Sequence, residues 1–150
     1  MTKTPNETTM RAWARLMKSQ HLLLSRVETA LKVADLPPLT WYDVLLELER
    51  AGADGLRPFE LEQHLLLAQY NLSRLLDRIE KAGFIRRKAH KEDGRGQLVS
   101  ITRAGSAVRR KMWPVYGSAM NEIFGDQLSG KQMAELANLL GDLIDHASAK

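Results

Sequence analysis

The chain contains no cysteine, which excludes a disulfide framework, a thiolate metal site, a cysteine nucleophile and thiol-based redox sensing. It has no run of about 18 apolar residues and its first ten residues are polar, so neither a membrane span nor an export signal is expected. The expected location is the cytoplasm. His21, His64, His90 and His146 stand in no i,i+4 pairing or local His/Asp/Glu grouping that would mark a metal, so no metal and no cofactor is expected. No nucleophile stands with a base. Gly94-Arg95-Gly96 lacks the preceding strand and following helix of a phosphate-binding loop, so no catalytic residue is assigned and an enzyme is not expected.

What is present is an ordinary globular composition, 44% apolar and 27% charged over 150 residues, enough for one domain with a real core. The positive charge is unevenly placed. The 35 residues from Gln69 to Arg103 hold nine Lys/Arg against four Asp/Glu, a balance of +5, while the whole chain carries only +4. Charge focused in this way raises the local concentration of phosphates and steers their approach, so a polyanionic partner is indicated.

Met10 to Val33 reads as one long helix, with Trp13, Met17, Gln20, Leu24, Val27 and Leu31 spaced as a seam that Leu16, Leu23 and Ala30 widen. So wide an apolar face needs a second packing partner, and another subunit is expected in that place. Leu36-Pro37-Pro38 ends it. A second helix is expected from Thr40 to Ala51, with Thr40 and Asp43 as a variant capping box and Trp41, Val44, Leu45 and Leu48 inward. Pro58 opens a short third helix, Phe59 to about Leu66, and a fourth is expected from about Gln69 to Ala82, stopped by Gly83. The pattern then becomes extended. Ile85 to Ala89 and Gln97 to Ile101 read as a hairpin with a charged tip, His90 to Gly96. Thr102 caps a fifth helix, which Pro114 is expected to bend, and Ser129 with Gln132 forms the capping box of a sixth.

On the fourth helix, at about 100° per residue, Leu72, Leu75, Leu76 and Ile79 share one arc. The opposite arc holds Tyr70, Arg74, Asp77 and Lys81, flanked by Ser73 and Arg78. A guanidinium can grip guanine O6 and N7 in two places, and lysines reach phosphates, so base readers and backbone anchors are both present. Helix, turn, helix and ribbon in this order describe a winged helix-turn-helix, whose second helix enters the major groove of double-stranded DNA. The fold expected is therefore mainly α with a small β-hairpin wing. Candidate DNA contacts are Gln69, Tyr70, Asn71, Ser73, Arg74, Arg78 and Lys81 on the helix, and Arg86, Lys88, His90, Lys91, Asp93 and Arg95 on the wing. Arg95, mounted between two glycines, is the expected minor-groove probe, with Asp93 holding its guanidinium or bracing the turn.

Three stretches carry a resemblance to a known family: LTWYDVLLEL (Leu39 to Leu48), LSRLLDRIEKAGFIRR (Leu72 to Arg87) and EDGRGQLVSITRAG (Glu92 to Gly105). With them the chain, from about residue 10 to 147, resembles the MarR-type winged helix-turn-helix regulators. The resemblance implies a DNA-binding lobe over 39–102 and dimerisation helices over 10–34 and 103–148 within one MarR-like domain. It also implies an obligate homodimer that reads a pseudo-palindrome, with Ser73, Arg74 and Arg78 on the recognition helix and Asp93 and Arg95 on the wing. Regulators of this kind commonly answer to small aromatic or phenolic acids, so the resemblance suggests such an effector near Trp13, Arg15, His21, Trp41, Trp113 and Tyr116, with Tyr42 a further ring. Two departures stand out. Leu66-Leu67-Ala68 offers the recognition helix no polar cap, and Ile101 replaces a common leucine. Competing readings are a non-specific architectural DNA-binding protein, for which backbone charge suffices, and a winged-helix protein-interaction module, which a basic outward face argues against.

Overall fold

A computed structural model describes residues 2–89 and 96–149. Among the described residues six α-helices and one hairpin follow in order: α1 (Glu7–Val33), α2 (Leu39–Ala51), α3 (Pro58–His64), α4 (Leu72–Lys81), β1 (Ile85–Ala89), β2 (Gln97–Ile101), α5 (Arg103–Ile123) and α6 (Gly130–Ser148). The chain divides into two units, Met1–Val27 with Gly117–Lys150, and Glu28–Tyr116. Mainly α with a hairpin wing is thus the observed fold class, and the strand bounds match the sequence expectation at both ends. No helix of the described residues is long and apolar enough to cross a membrane.

The second unit holds the core. Val44, Leu45 and Leu48 of α2 meet Leu61 of α3, Leu75, Leu76 and Ile79 of α4, and Ile85 and Val99 of the hairpin, all buried. β1 pairs antiparallel with β2, Ile85 opposite Ile101 and Arg87 opposite Val99. The hairpin is tied down at Val99, whose N–H donates to the Leu56 carbonyl (2.8 Å) and whose carbonyl accepts from Leu56 N–H (2.9 Å). That contact requires glycine at position 55, where φ is +70° and an added Cβ would lie 2.4 Å from the Val99 carbonyl oxygen.

Helix ends depart from expectation where side chains found other partners. α1 begins at Glu7 and not Met10, because the Asn6 carboxamide accepts from Thr9 N–H (2.7 Å) and caps it. α2 begins at Leu39 behind an extended Pro38, with no side-chain cap. The Thr40/Asp43 capping box does not form. Glu28 takes over at that end, accepting from Leu39 N–H, and Asp43 is spent elsewhere. The other signals hold: Thr102 Oγ1 accepts from Gly105 N–H (3.0 Å), and Ser129 and Gln132 bond each other's backbone as a full box. Pro114 lies inside α5.

α2 and α5 are also joined by Glu49, which accepts from Ser106 Oγ (2.8 Å) and from Arg109 Nε (2.8 Å). Burial pushes the Glu49 carboxyl up, but the Arg109 and Ser106 hydrogen bonds and the Arg110 charge outweigh it and hold the group below its ordinary value. A carboxylate depressed in the folded state contributes stability above its unfolded titration, and that contribution disappears as pH falls through the folded one. Glu49→Gln is therefore expected to lower the thermal midpoint at neutral pH, with the gap to the parent closing below the carboxylate range. A gap independent of pH in thermal scans would contradict this.

Candidate nucleic-acid interface

The recognition element is built from α2 upward. Asp43 is 7% exposed, and its two carboxylate oxygens accept from the backbone N–H groups of Leu66 (3.0 Å) and Leu67 (2.8 Å). Those donors belong to the turn between α3 and α4, where no helix satisfies them, so the carboxylate fixes the turn that aims α4. Leu72 to Lys81 then form α4. Asn71 caps it, its side chain accepting from Arg74 N–H (3.0 Å).

This corrects two expectations. α4 starts at Leu72 and not Gln69, so Gln69, Tyr70 and Asn71 precede the helix; and the start is capped, by Asn71, not bare at Leu66-Leu67-Ala68. The cap was missed because the helix was placed three residues too early. At the other end Gly83, with φ +85°, adopts the left-handed conformation of a helix stop. Its N–H reaches the Glu80 carbonyl and Phe84 N–H that of Ile79, while Thr102 Oγ1 donates to the Gly83 carbonyl.

With Leu75, Leu76 and Ile79 buried, Ser73, Arg74, Asp77, Arg78 and Lys81 are exposed. Tyr70 is fully exposed and Gln69 half-buried. Along β1 the period of two places Arg86 and Lys88 on one face, both exposed, and Arg87 on the face of buried Ile85. Arg87 accordingly turns to α4 and not to solvent: it bonds Glu80 and Asp77. Arg87 is not among the candidate DNA contacts, and the strand alternation is the signal that separates it from Arg86 and Lys88. His90, Lys91, Asp93 and Arg95, the expected wing contacts, lie outside the described residues.

The rings do not gather as one set. Tyr42, Trp113 and Tyr116 form a cluster, with Tyr42 stacked on Trp113 (6.2 Å between centroids) and edge-on to Tyr116 (5.2 Å). Trp41 instead packs edge-on against Phe84 beside the core. Trp13, Arg15 and His21 belong to the other unit and are exposed. A cavity of about 360 Å³ opens beside Tyr42, Asp43, His64, Leu66, Leu67 and Tyr116, so of the residues expected around an effector Tyr116 and the further ring Tyr42 stand on its wall, while Trp13, Arg15, His21, Trp41 and Trp113 do not. Burial, with the nearby Asp43 charge and Tyr42, pushes the Tyr116 phenol up. Among the described residues no group of three or more His, Asp or Glu side chains is arranged to hold a metal ion.

A helix-turn-helix whose second helix is buried on one arc and cationic on the other, followed at once by a two-stranded ribbon, is a winged helix-turn-helix. Residues 34–96 match the model described as MarR family. An uncharacterized HTH-type transcriptional regulator of Bacillus cereus is 28% identical over 138 residues, 92% of this chain and 90% of its own length. Among solved structures, AbsC, a MarR family transcriptional regulator from Streptomyces coelicolor, superposes with a TM-score of 0.85 at 25% identity, covering 99% of this chain and all of that one (100%). A second MarR family regulator of Streptomyces coelicolor, solved in complex with DNA, gives a TM-score of 0.88 at 23% identity over 99% of this chain and 92% of its own. The chain is thus similar to the MarR family of winged helix-turn-helix transcriptional regulators, in sequence over 34–96 and in fold over nearly all of its length.

Proposed function

We propose that the protein is a sequence-specific, DNA-binding transcriptional regulator that acts as a homodimer on a pseudo-palindromic operator, without a catalytic role and within the cytoplasm. The observation that carries this reading is the division of α4: an apolar arc buried in the core, and an exposed arc presenting Arg74, Arg78 and Lys81 from a helix capped by Asn71 and aimed by Asp43. Ser73 and Arg74 are positioned to read base edges, Arg78 and Lys81 to hold phosphates, and Arg86 and Lys88 to extend the contact along the wing.

The dimer is supported by the terminal unit. Met10, Trp13, Leu16, Met17 and Leu22 of α1 and Leu139, Leu143 and Ile144 of α6 are exposed, Trp13 by 66% and Ile144 by 63%. Two long helices with that much apolar surface in water fit a face shared with a second copy. Modulation by a small aromatic or phenolic ligand is supported by the aromatic wall of the cavity at Tyr42 and Tyr116, which also touches the turn before α4.

The test is selection of bound fragments from the source genome, followed by Arg74→Ala on the recovered site. The substitution is expected to cost about 1–3 kcal/mol of binding and to relax discrimination at one base pair. Binding that depends on salt but prefers no sequence would favour an architectural protein instead.

A further inference from the structure

In the most basic part of the chain the Arg87 cation is already spent. The Arg87 side chain is 18% exposed, and its guanidinium donates to Glu80 Oε1 from Nε (3.1 Å) and from a terminal nitrogen (2.7 Å), the same nitrogen reaching Asp77 Oδ1 (2.6 Å). Its backbone N–H also donates to Glu80 Oε2 (3.3 Å). One carboxylate on the recognition helix thus receives both the main chain and the side chain of a wing residue. Arg87 lies opposite Val99, the residue bonded to Leu56, so the wing is anchored to the helix on one side and to the core on the other.

The charges follow the same division. Arg87, Asp77 and Glu80 together sum to −1, so the excess of positive charge in the 69–103 window rests on the other residues. Asp77 is exposed between Arg74 and Lys81, where a bare carboxylate would repel phosphate. A planar guanidinium can bridge two carboxylates in a fixed geometry, which a point charge does less well.

We infer that Arg87 is not a DNA contact but a positioning residue, which with Glu80 and Asp77 clamps the wing strand to the recognition helix so that the two meet the duplex as one rigid reader. Its effect on binding rests on the DNA-binding reading above; the clamp itself does not. For binding, the clamp predicts an effect opposite in sign to that of simple electrostatics. Glu80→Gln removes a negative charge, and charge alone would tighten binding to a polyanion. A loosened clamp weakens it, by about fivefold, because ordering the released strand then opposes association.

The experiment uses the full chain in two measurements. In free protein, backbone amide exchange across Arg86 to Ala89 is expected to accelerate about tenfold in Glu80→Gln, a change of about 1.4 kcal/mol. Exchange in α6 should stay as in the parent, which separates local release from general loss of fold. On the operator, Glu80→Gln should bind more weakly, and Arg87→Lys should fail to restore parental affinity, as it would for a phosphate contact. Unchanged exchange at Arg86 to Ala89, or tighter binding by Glu80→Gln, overturns the clamp. Accelerated exchange in a protein that retards no duplex would keep the clamp and sink the DNA-binding reading.

Discussion

Asp43→Ala is expected to lower the free energy of unfolding by about 2–4 kcal/mol, because two N–H groups of the α3–α4 turn lose the carboxylate that accepts from them. The carboxylate is nearly buried, and the donors, Leu66 and Leu67, belong to a stretch with no helical partner for them. Asn is an instructive second variant. Its amide can accept through one oxygen while presenting its NH₂ to the other donor, so Asp43→Asn should recover part of the loss and no more. Urea titrations of both variants, read at fixed m-value, check the stability claim. The same variants should weaken operator binding beyond their fraction unfolded, since α4 would leave a less defined turn. Parental stability in Asp43→Ala would mean that water or a neighbouring group replaces the carboxylate and that the turn is held elsewhere.

The second large effect is expected at α6. Leu143→Asp should raise the dissociation constant of the proposed dimer at least about a hundredfold, or about 2.7 kcal/mol, because an isologous interface meets each substitution twice. Leu143 and Ile144 are 58% and 63% exposed, and α6 has no buried residue of its own, so little within the chain depends on that face. The fold of the Glu28–Tyr116 unit should survive, and sedimentation is expected to show monomers of the variant at concentrations where it shows a dimer of the parent. Truncation from Leu143 onward should act in the same direction. Operator affinity would fall with it, since two half-sites held by one particle bind far more tightly than either alone. Unchanged mass in sedimentation would refute this interface.

Much of the winged helix-turn-helix was legible in residue order. Alternation gave both strands their bounds, Gly83 marked the end of α4, and the Thr102 and Ser129/Gln132 caps stand where local spacing places them, because each depends on residues a few positions apart. The apolar arc of α4 was likewise correct at Leu75, Leu76 and Ile79. Thr40/Asp43 was misread for a physical reason. The same spacing that suits a capping box leaves the Asp43 carboxylate free to serve donors 23 and 24 residues away, and sequence distance carries no sign of them.

The ring residues show the limit in another form. Helical spacing placed Trp41 inward and the resemblance set Trp41, Trp113 and Tyr116 near one effector, but neither said that Trp41 would meet Phe84 while Tyr116 borders the cavity. A stripe defines which way a helix turns, and the neighbour it meets depends on how several helices pack.

By itself the sequence determined the class of the molecule: no thiol chemistry, a basic recognition segment, helices punctuated by a ribbon, and the motifs that point to the MarR family. Those are properties of composition and of interactions between near neighbours. The tertiary structure alone decided which charges are spent and which remain, pairing Arg87 with Glu80 and Asp77 and burying Asp43 against the turn. Whether an ionised side chain serves the fold or faces a partner depends on what lies within a few ångströms of it, and those distances exist only once the chain has packed.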